Sequence, residues 1–367
     1  MQYCPSIGIF LSMETSEKLK RSAEIAVKDI LKAKKGEKAL IITNPELDVM
    51  NISQALYNAL AAAGAIPVIV VQPVKTQFDY SEPTVVAAIK TEPEIILSIS
   101  RNKLGKDKEA MEHPYILDGK EVNSNYHYLM ETKKSRSFWS PSITEDMFIR
   151  TVPIDYTELK ANCRRLKTLL DKAVRMQITA PGGTDLSVGL AGRSTFQDDG
   201  DFSAPGAGGN VPAGEVFISP QLGTSCGTIA FDGSISVKSG DIVINHPIKA
   251  TVEKGFVTSL NTAESEEARI LAETIEEGAK APNTEYAKNA RNLGEIGIGL
   301  NPAAEITGNM LEDEKAFHTC HIAIGHNYDE DAPAIIHLDG LVRNPTIELF
   351  FEDGSSKVIL RKGILEA

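Results

Sequence analysis

The run LGEIGIGLNPAAEITGNMLEDEKAFHTCHIAIGHNYDEDAPAIIHLDG occupies residues 293–340 and contains three short segments with apolar residues at every second position. Such spacing marks a β-strand, in which residues i and i+2 share a face. Glu295, Gly297 and Gly299 then lie opposite Ile296, Ile298 and Leu300. His321, Ala323 and Gly325 lie opposite Ile322 and Ile324, while His337 and Asp339 lie opposite Ile336 and Leu338. Each segment sets ligand-type side chains against an aliphatic face, and the first two otherwise keep the ligand side clear with glycine or alanine. A packed core would fill that space, whereas a cavity for a metal and a substrate needs it. A lone histidine in an apolar strand is ordinarily a satisfied core residue, and acids such as Glu312-Asp313-Glu314 ordinarily form a solvated turn. Histidine together with several carboxylates in one stretch is instead the donor set of a divalent-metal hydrolytic site.

Working outward, the sequence is strand-rich and helix-poor from about residue 174 onward. It includes MQITAPGGTDLSVGLAGR, TIAFDGSISV, DIVINHPIKATV and GFVTSL, with one helix expected near 264–279. Upstream the pattern changes. ALIITN at 39–44, IPVIVVQP from 66 and EIILSIS at 94–100 read as buried strands. Helical spacing separates them, in VMNISQALYNALAAAG from 49 and in EPTVVAAIKT, and an amphipathic helix covers 16–33. Repeated β-α-β units predict a parallel sheet. The reading is an α/β domain over 1–173 followed by a strand-rich α+β metal-binding catalytic domain over 174–367. Residues 101–150 are weakly periodic, a helix is expected at 155–173, and GAGGN at 206–210 reads as a glycine-rich turn. No G-x-G-x-x-G follows a strand and no G-x-x-x-x-G-K-[ST] occurs, so the N-terminal domain lacks the phosphate-binding signatures.

The 38 basic and 50 acidic residues give a net charge of −12, which argues against nucleic-acid and anionic-membrane partners. No run reaches the roughly 18 apolar residues of a membrane span. The start MQYCPSIGIF lacks a charged leader region, and Cys4, Cys163, Cys226 and Cys320 form no C-x-x-C pair. Free thiols in a cytoplasmic protein are the expectation.

Five blocks occur in family order: GTDLSVGLAGR, N-x-P-x-G-E-V-F at 210–217, LGEIGIG, DEK…H-I-A-I-G…Y, and H-L-D. In these the chain resembles the metallo-aminopeptidases of peptidase family M29, the aminopeptidase T, aminopeptidase S and PepS type. The resemblance implies an N-terminal α/β domain, a C-terminal domain with two divalent ions (zinc, cobalt or magnesium), a peptide substrate and a homodimer. Carried over block by block, it offers Glu215, Glu295, Glu314, His321, His337 and Asp339 as metal ligands, with Tyr328 as a catalytic hydroxyl. A ring-cleaving dihydroxypyridine dioxygenase that uses a single iron also resembles this family.

The residues themselves agree with hydrolysis. Six potential ligands, four of them carboxylates, exceed the needs of one tetrahedral zinc site, whereas two ions ~3.5–4 Å apart would use them all. Either Glu295 or Glu215 would shuttle the proton to the leaving amine. Tyr328 would donate to the developing oxyanion. Arg193 either orients a substrate carboxylate or pairs with an acid.

Overall fold

The computed structural model describes residues 5–76 and 78–366. The chain divides into two compact units, residues 1–156 with 200–213, and residues 157–199 with 214–367.

The first unit is built on a five-stranded sheet in the order Gly208–Asn210, Arg136–Pro141, Ile95–Ser100, Lys38–Thr43, Ile66–Val71, with every pairing parallel. The central strand Ile95–Ser100 is buried along its whole length, as a continuous apolar run covered on both faces requires. On one side Leu40, Ile42 and Ile96 pack with Val85 and Ile89 of helix Pro83–Ile89 and with Tyr126 and Leu129 of helix Asn125–Glu131. Helix Leu47–Ala62 buries Val49, Ile52, Leu56 and Leu60, the i, i+3, i+4 stripe of an amphipathic helix. A buried arginine ties this unit together. Arg136 donates through Nη1 and Nη2 to the two carboxylate oxygens of Glu37, at 3.0 and 2.7 Å, and through Nε to the carbonyl of Leu31 at 3.0 Å.

The second unit holds two antiparallel sheets. One has eight strands in the order Phe256–Leu260, Ile248–Glu253, Cys226–Phe231, Asp185–Gly189, Ala173–Thr179, Thr346–Phe351, Ser356–Arg361, Ile364–Leu365. The other has seven, in the order Gly240–Val243, Ser234–Val237, His337–Arg343, Thr319–Gly325, Leu293–Gly299, Glu215–Ile218, Phe196–Asp198. The sheets meet where Gly340 faces Phe231; a Cβ on Gly340 would lie 2.5 Å from the Phe231 ring. Helix Glu266–Gly278 starts at Ser265, whose hydroxyl accepts from the backbone N–H of Ala268.

The α/β plus strand-rich architecture matches the sequence reading, but the division of the chain differs from a cut at residue 174. Helix Tyr156–Leu170 runs across the break at 156/157, and its buried Cys163 lies 3.9 Å from the carbonyl of Glu215 in the second unit. Its lysine Lys167 donates to the carbonyl of Thr195. Helix content is therefore a poor guide to where the first unit stops. The chain then returns to the first unit at 200–213, where the glycine-rich segment is an edge strand paired with Ser137–Trp139 instead of a turn. The helix expected at 16–33 runs Pro5–Ile25 and continues as one π-helical stretch, Ala26–Ile30. Cys163, Cys226 and Cys320 are free thiols, and Cys4 lies outside the described residues. Among the described residues no helix is long and apolar enough to cross a membrane.

Candidate metal centre

The seven-stranded sheet collects the ligand-type residues on one face. Cross-strand partners in an antiparallel sheet share a face, and the register pairs Asp198 with Glu215, Glu215 with Gly299, Gly297 with His321, Glu295 with Ala323, Ala323 with Asp339 and Gly325 with His337. Five donors spread over more than 120 residues of sequence thus become neighbours on adjacent strands. The aliphatic partners Ile296, Ile298, Ile322, Ile324 and Leu338 are all buried on the opposite side. Gly297 is needed for this arrangement, since a Cβ there would sit 1.9 Å from Nε2 of His321.

Two donor groups result, Glu215, Glu295 and His321 in one and Glu295, His337 and Asp339 in the other; the donor atoms of each lie within 4.8 Å of one another. Glu295 belongs to both, through different oxygens. His321 Nε2 is 3.1 Å from Glu295 Oε1 and 3.4 Å from Glu215 Oε2. His337 Nε2 is 3.3 Å from Glu295 Oε2 and 3.3 Å from Asp339 Oδ1. The Nδ1 atom of His337 lies 2.8 Å from the carbonyl of His326, which fixes the tautomer so that Nε2 faces the carboxylates.

These spacings suit bound cations. Two ligands ~2.1 Å from a common ion and ~90–109° apart are separated by about 3–3.4 Å, the range found here. Glu215 Oε2 and Asp339 Oδ1 are buried, and each has only an imidazole Nε2 near it, at 3.4 and 3.3 Å, so both require a cation there, an imidazolium or a bound metal. The donor set of two imidazoles and three carboxylates therefore fits divalent-metal binding.

Glu314 joins neither group. It follows the short helix Met310–Asp313, and its carboxylate accepts from the ammonium of Lys315, which also donates to Glu215 Oε1 at 2.7 Å. Lys315 is fully buried, and the sequence reading missed it because a lysine beside an acid looks like a surface pair. The neighbouring acids are not a solvated turn either. Asp313 is buried and accepts from Ser234 Oγ at 2.6 Å and from the amides of Thr307 and Gly308, while Glu312 accepts from the amide of Glu305. Both anchor the turn that presents Glu314 and Lys315.

Tyr328 sits on the loop after the Thr319–Gly325 strand with its ring 5.3 Å from the imidazole of His337. Arg193 holds that loop: Nη1 donates to Asp331 at 2.8 Å and lies 3.7 Å from Asp329. Of its two sequence readings, pairing with acids is the one the structure displays.

Four carboxylates against one ammonium leave an excess of negative charge, and without metal the cluster answers it with protons. Burial pushes the Glu314 carboxyl up to about 8, with Glu215 and Asp339 adding to the effect against the pull of Lys315. For His321, burial disfavours the charged ring, but hydrogen bonding to Glu295 and the charge of Glu215 outweigh it and raise the imidazole to about 9. His337 is likewise raised well above its ordinary value, since Asp339 and Glu295 overcome its burial. Burial opposes ionisation of Asp339 too, yet His337 holds its carboxyl down at about 2, and the two imidazoles do the same in direction for Glu295. Partial burial and the charges of Glu295 and Asp339 push the Tyr328 phenol upward, so it remains a hydrogen-bond donor at neutral pH.

The family model described as "NicX: 2,5-dihydroxypyridine 5,6-dioxygenase" matches residues 142–325. No curated protein sequence matches the chain. Among solved structures, the 2,5-dihydroxypyridine dioxygenase from Pseudomonas putida KT2440 is 18% identical with a TM-score of 0.72, over 96% of this chain and 98% of that one. Wild-type AmpT from Thermus thermophilus is 18% identical with a TM-score of 0.66, over 96% of this chain and 99% of that one. At that identity the structures establish a shared fold. The donor groups and the family match together support a metal-binding enzyme.

Proposed function

Because the chain belongs to the NicX family, described as 2,5-dihydroxypyridine 5,6-dioxygenase, we propose that it is a metalloenzyme, and that its own donor arrangement makes it a two-metal aminopeptidase. The observation that carries this reading is the division of the donors. His321 falls in one group and His337 in the other, with Glu295 common to both. A single iron site of two histidines and one carboxylate would need both imidazoles around one ion. Two ions would instead draw on both groups, with Glu295 as the carboxylate common to them.

In this reading Glu215, Glu295 and His321 would hold one ion, and Glu295, His337 and Asp339 would hold the other. When bound, the ions supply Lewis acidity toward the scissile carbonyl and the attacking water. Lys315 fixes the free oxygen of Glu215 and keeps Glu314 in place beside it. Glu314, held by the ammonium of Lys315 and outside both donor groups, is the carboxyl left to take the proton of the attacking water and pass it to the leaving amine. That departs from the sequence reading, which gave the proton to Glu295 or Glu215; both oxygens of Glu295 are engaged by imidazoles. The phenol of Tyr328 donates to the developing oxyanion. The sequence blocks that resemble aminopeptidase T, on a fold shared with AmpT from Thermus thermophilus, support the reading.

The test is hydrolysis of leucyl-p-nitroanilide by protein reconstituted with zinc or cobalt. Turnover abolished by chelation and restored by metal supports the proposal. The family match favours a second reading, ring opening of a dihydroxypyridine by one ferrous ion. Oxygen uptake with 2,5-dihydroxypyridine, without amide hydrolysis under any metal, would establish that reading instead.

A further inference from the structure

A row of aromatic rings leads from the sheet edge to the metal-ligand cluster. Phe196, on the outermost strand, is the cross-strand partner of Phe217, and Phe217 shares its face with Glu215 two residues earlier. The Phe196 and Phe217 rings stack with centroids 5.3 Å apart and planes 15° from parallel. Tyr328 closes over them, 5.1 Å from Phe217 and 6.4 Å from Phe196, and its other neighbour is the imidazole of His337 at 5.3 Å. Phe196 remains 39% exposed and Tyr328 48% exposed. Rings left in water on an edge strand cost solubility, and a contiguous set beside a reactive centre marks a binding surface. Their positions are also fixed. Strand register sets the two phenylalanines, and the Arg193 pairs and the Asn327–Asp331 hydrogen bond hold the tyrosine loop.

We propose that Phe196, Phe217 and Tyr328 form a subsite for an aromatic or large aliphatic side chain of the substrate. This rests on the two-metal aminopeptidase reading and deepens it: the enzyme selects peptides whose N-terminal residue is bulky and apolar. The rings carry no charge to repel such a group, and they adjoin the donors on both sides of Glu295, Glu215 through Phe217 and His337 through Tyr328. A substrate with its scissile group at the cluster therefore lays its first side chain on the stacked rings. A small side chain such as that of alanine would leave them wet.

Equilibrium binding to the zinc-loaded protein tests the subsite without turnover, using L-phenylalaninol and L-alaninol, which have no amide bond to cleave. The wild type should bind phenylalaninol about tenfold more tightly or better, since ring stacking and apolar burial both act on the larger ligand. Phe217→Ala and Phe196→Ala should each reduce that preference several-fold, with alaninol affinity and zinc content retained. If Phe217→Ala disturbs Glu215 and loses zinc, Phe196→Ala decides, because Phe196 lies one strand farther out. Equal affinities in the wild type, or a preference that persists in Phe196→Ala, would overturn the proposal. A preference that holds and is lost on mutation, in a protein that hydrolyses no aminoacyl anilide, would keep the subsite and reject the peptidase. Competition between phenylalaninol and 2,5-dihydroxypyridine would then show that the rings serve a ring substrate.

Discussion

Metal uptake should be steeply pH-dependent, because the cluster stores protons that the ions must displace. His321 is raised to about 9 by Glu295 and Glu215, and ligation requires its neutral form. At pH 7, two units lower, only about one metal-free molecule in a hundred has that ring neutral. The apparent zinc affinity of its site should accordingly be on the order of 100-fold weaker than above pH 9. His337 is raised as well, so the second site carries a penalty of the same sign. The direction is fixed: a raised histidine pKa weakens binding as pH falls. Affinity of the His321 site should climb about tenfold per pH unit between pH 6 and 8 and level off above 9, and the His337 site should change in the same direction. Isothermal titration in buffers of different ionisation enthalpy measures both the affinity and the protons released. Release of about one proton at pH 7 with the ion that His321 binds is the expectation. Affinity that is flat from pH 6 to 9, with no buffer dependence of the heat, would refute the linkage between the imidazoles and the metal.

Other perturbations probe separate parts of the account. Gly297→Ala places a methyl 1.9 Å from His321 Nε2, so the imidazole must leave; metal content should fall by one ion per chain while circular dichroism stays near that of the wild type. Tyr328→Phe should lower kcat by ~10²–10³ with KM and metal content nearly unchanged, the expected cost of one lost oxyanion donor; full activity would return the tyrosine to the ring subsite alone. Arg136→Met removes a buried, bidentate partner of Glu37 and should destabilise the first unit by about 3 kcal/mol in a urea titration. Although burial opposes it, the Arg136 hydrogen bond holds the Glu37 carboxyl below its ordinary value, so this stability is present above the unfolded carboxylate range and lost as pH falls through the folded value. The variant should therefore show a shallower acid dependence; an unchanged acid midpoint would contradict the pairing.

How much of this was legible depended on the distance over which the physics acts. The alternation around Glu295, His321 and His337 is local, and the three strands form with their donors on the expected face. The buried runs at 39–44 and 94–100 were equally readable. The strand Arg136–Pro141 was not, because its partners Ile95–Ser100 and Gly208–Asn210 lie far away in sequence and its residues are mixed in character. Gly208 and Gly209 read as a turn, yet a Cβ on Gly208 would come within 2.8 Å of the Ser137 carbonyl, so the close strand approach favours glycine. Lys315 escaped notice since nothing local distinguishes a buried ammonium from an exposed one; its partner Glu215 lies 100 residues earlier. The grouping of donors around Glu295 likewise follows from strand register, which sequence spacing alone does not specify.

Metal stoichiometry tests the central claim most directly. Protein stripped by chelation, reconstituted with excess zinc or cobalt and freed of unbound ion should carry two ions per chain by elemental analysis, one for each group sharing Glu295. Glu295→Gln should lower the occupancy of both. A wild-type value that stays at one, with ferrous iron preferred over zinc, would contradict the two-metal centre and the hydrolytic chemistry drawn from it.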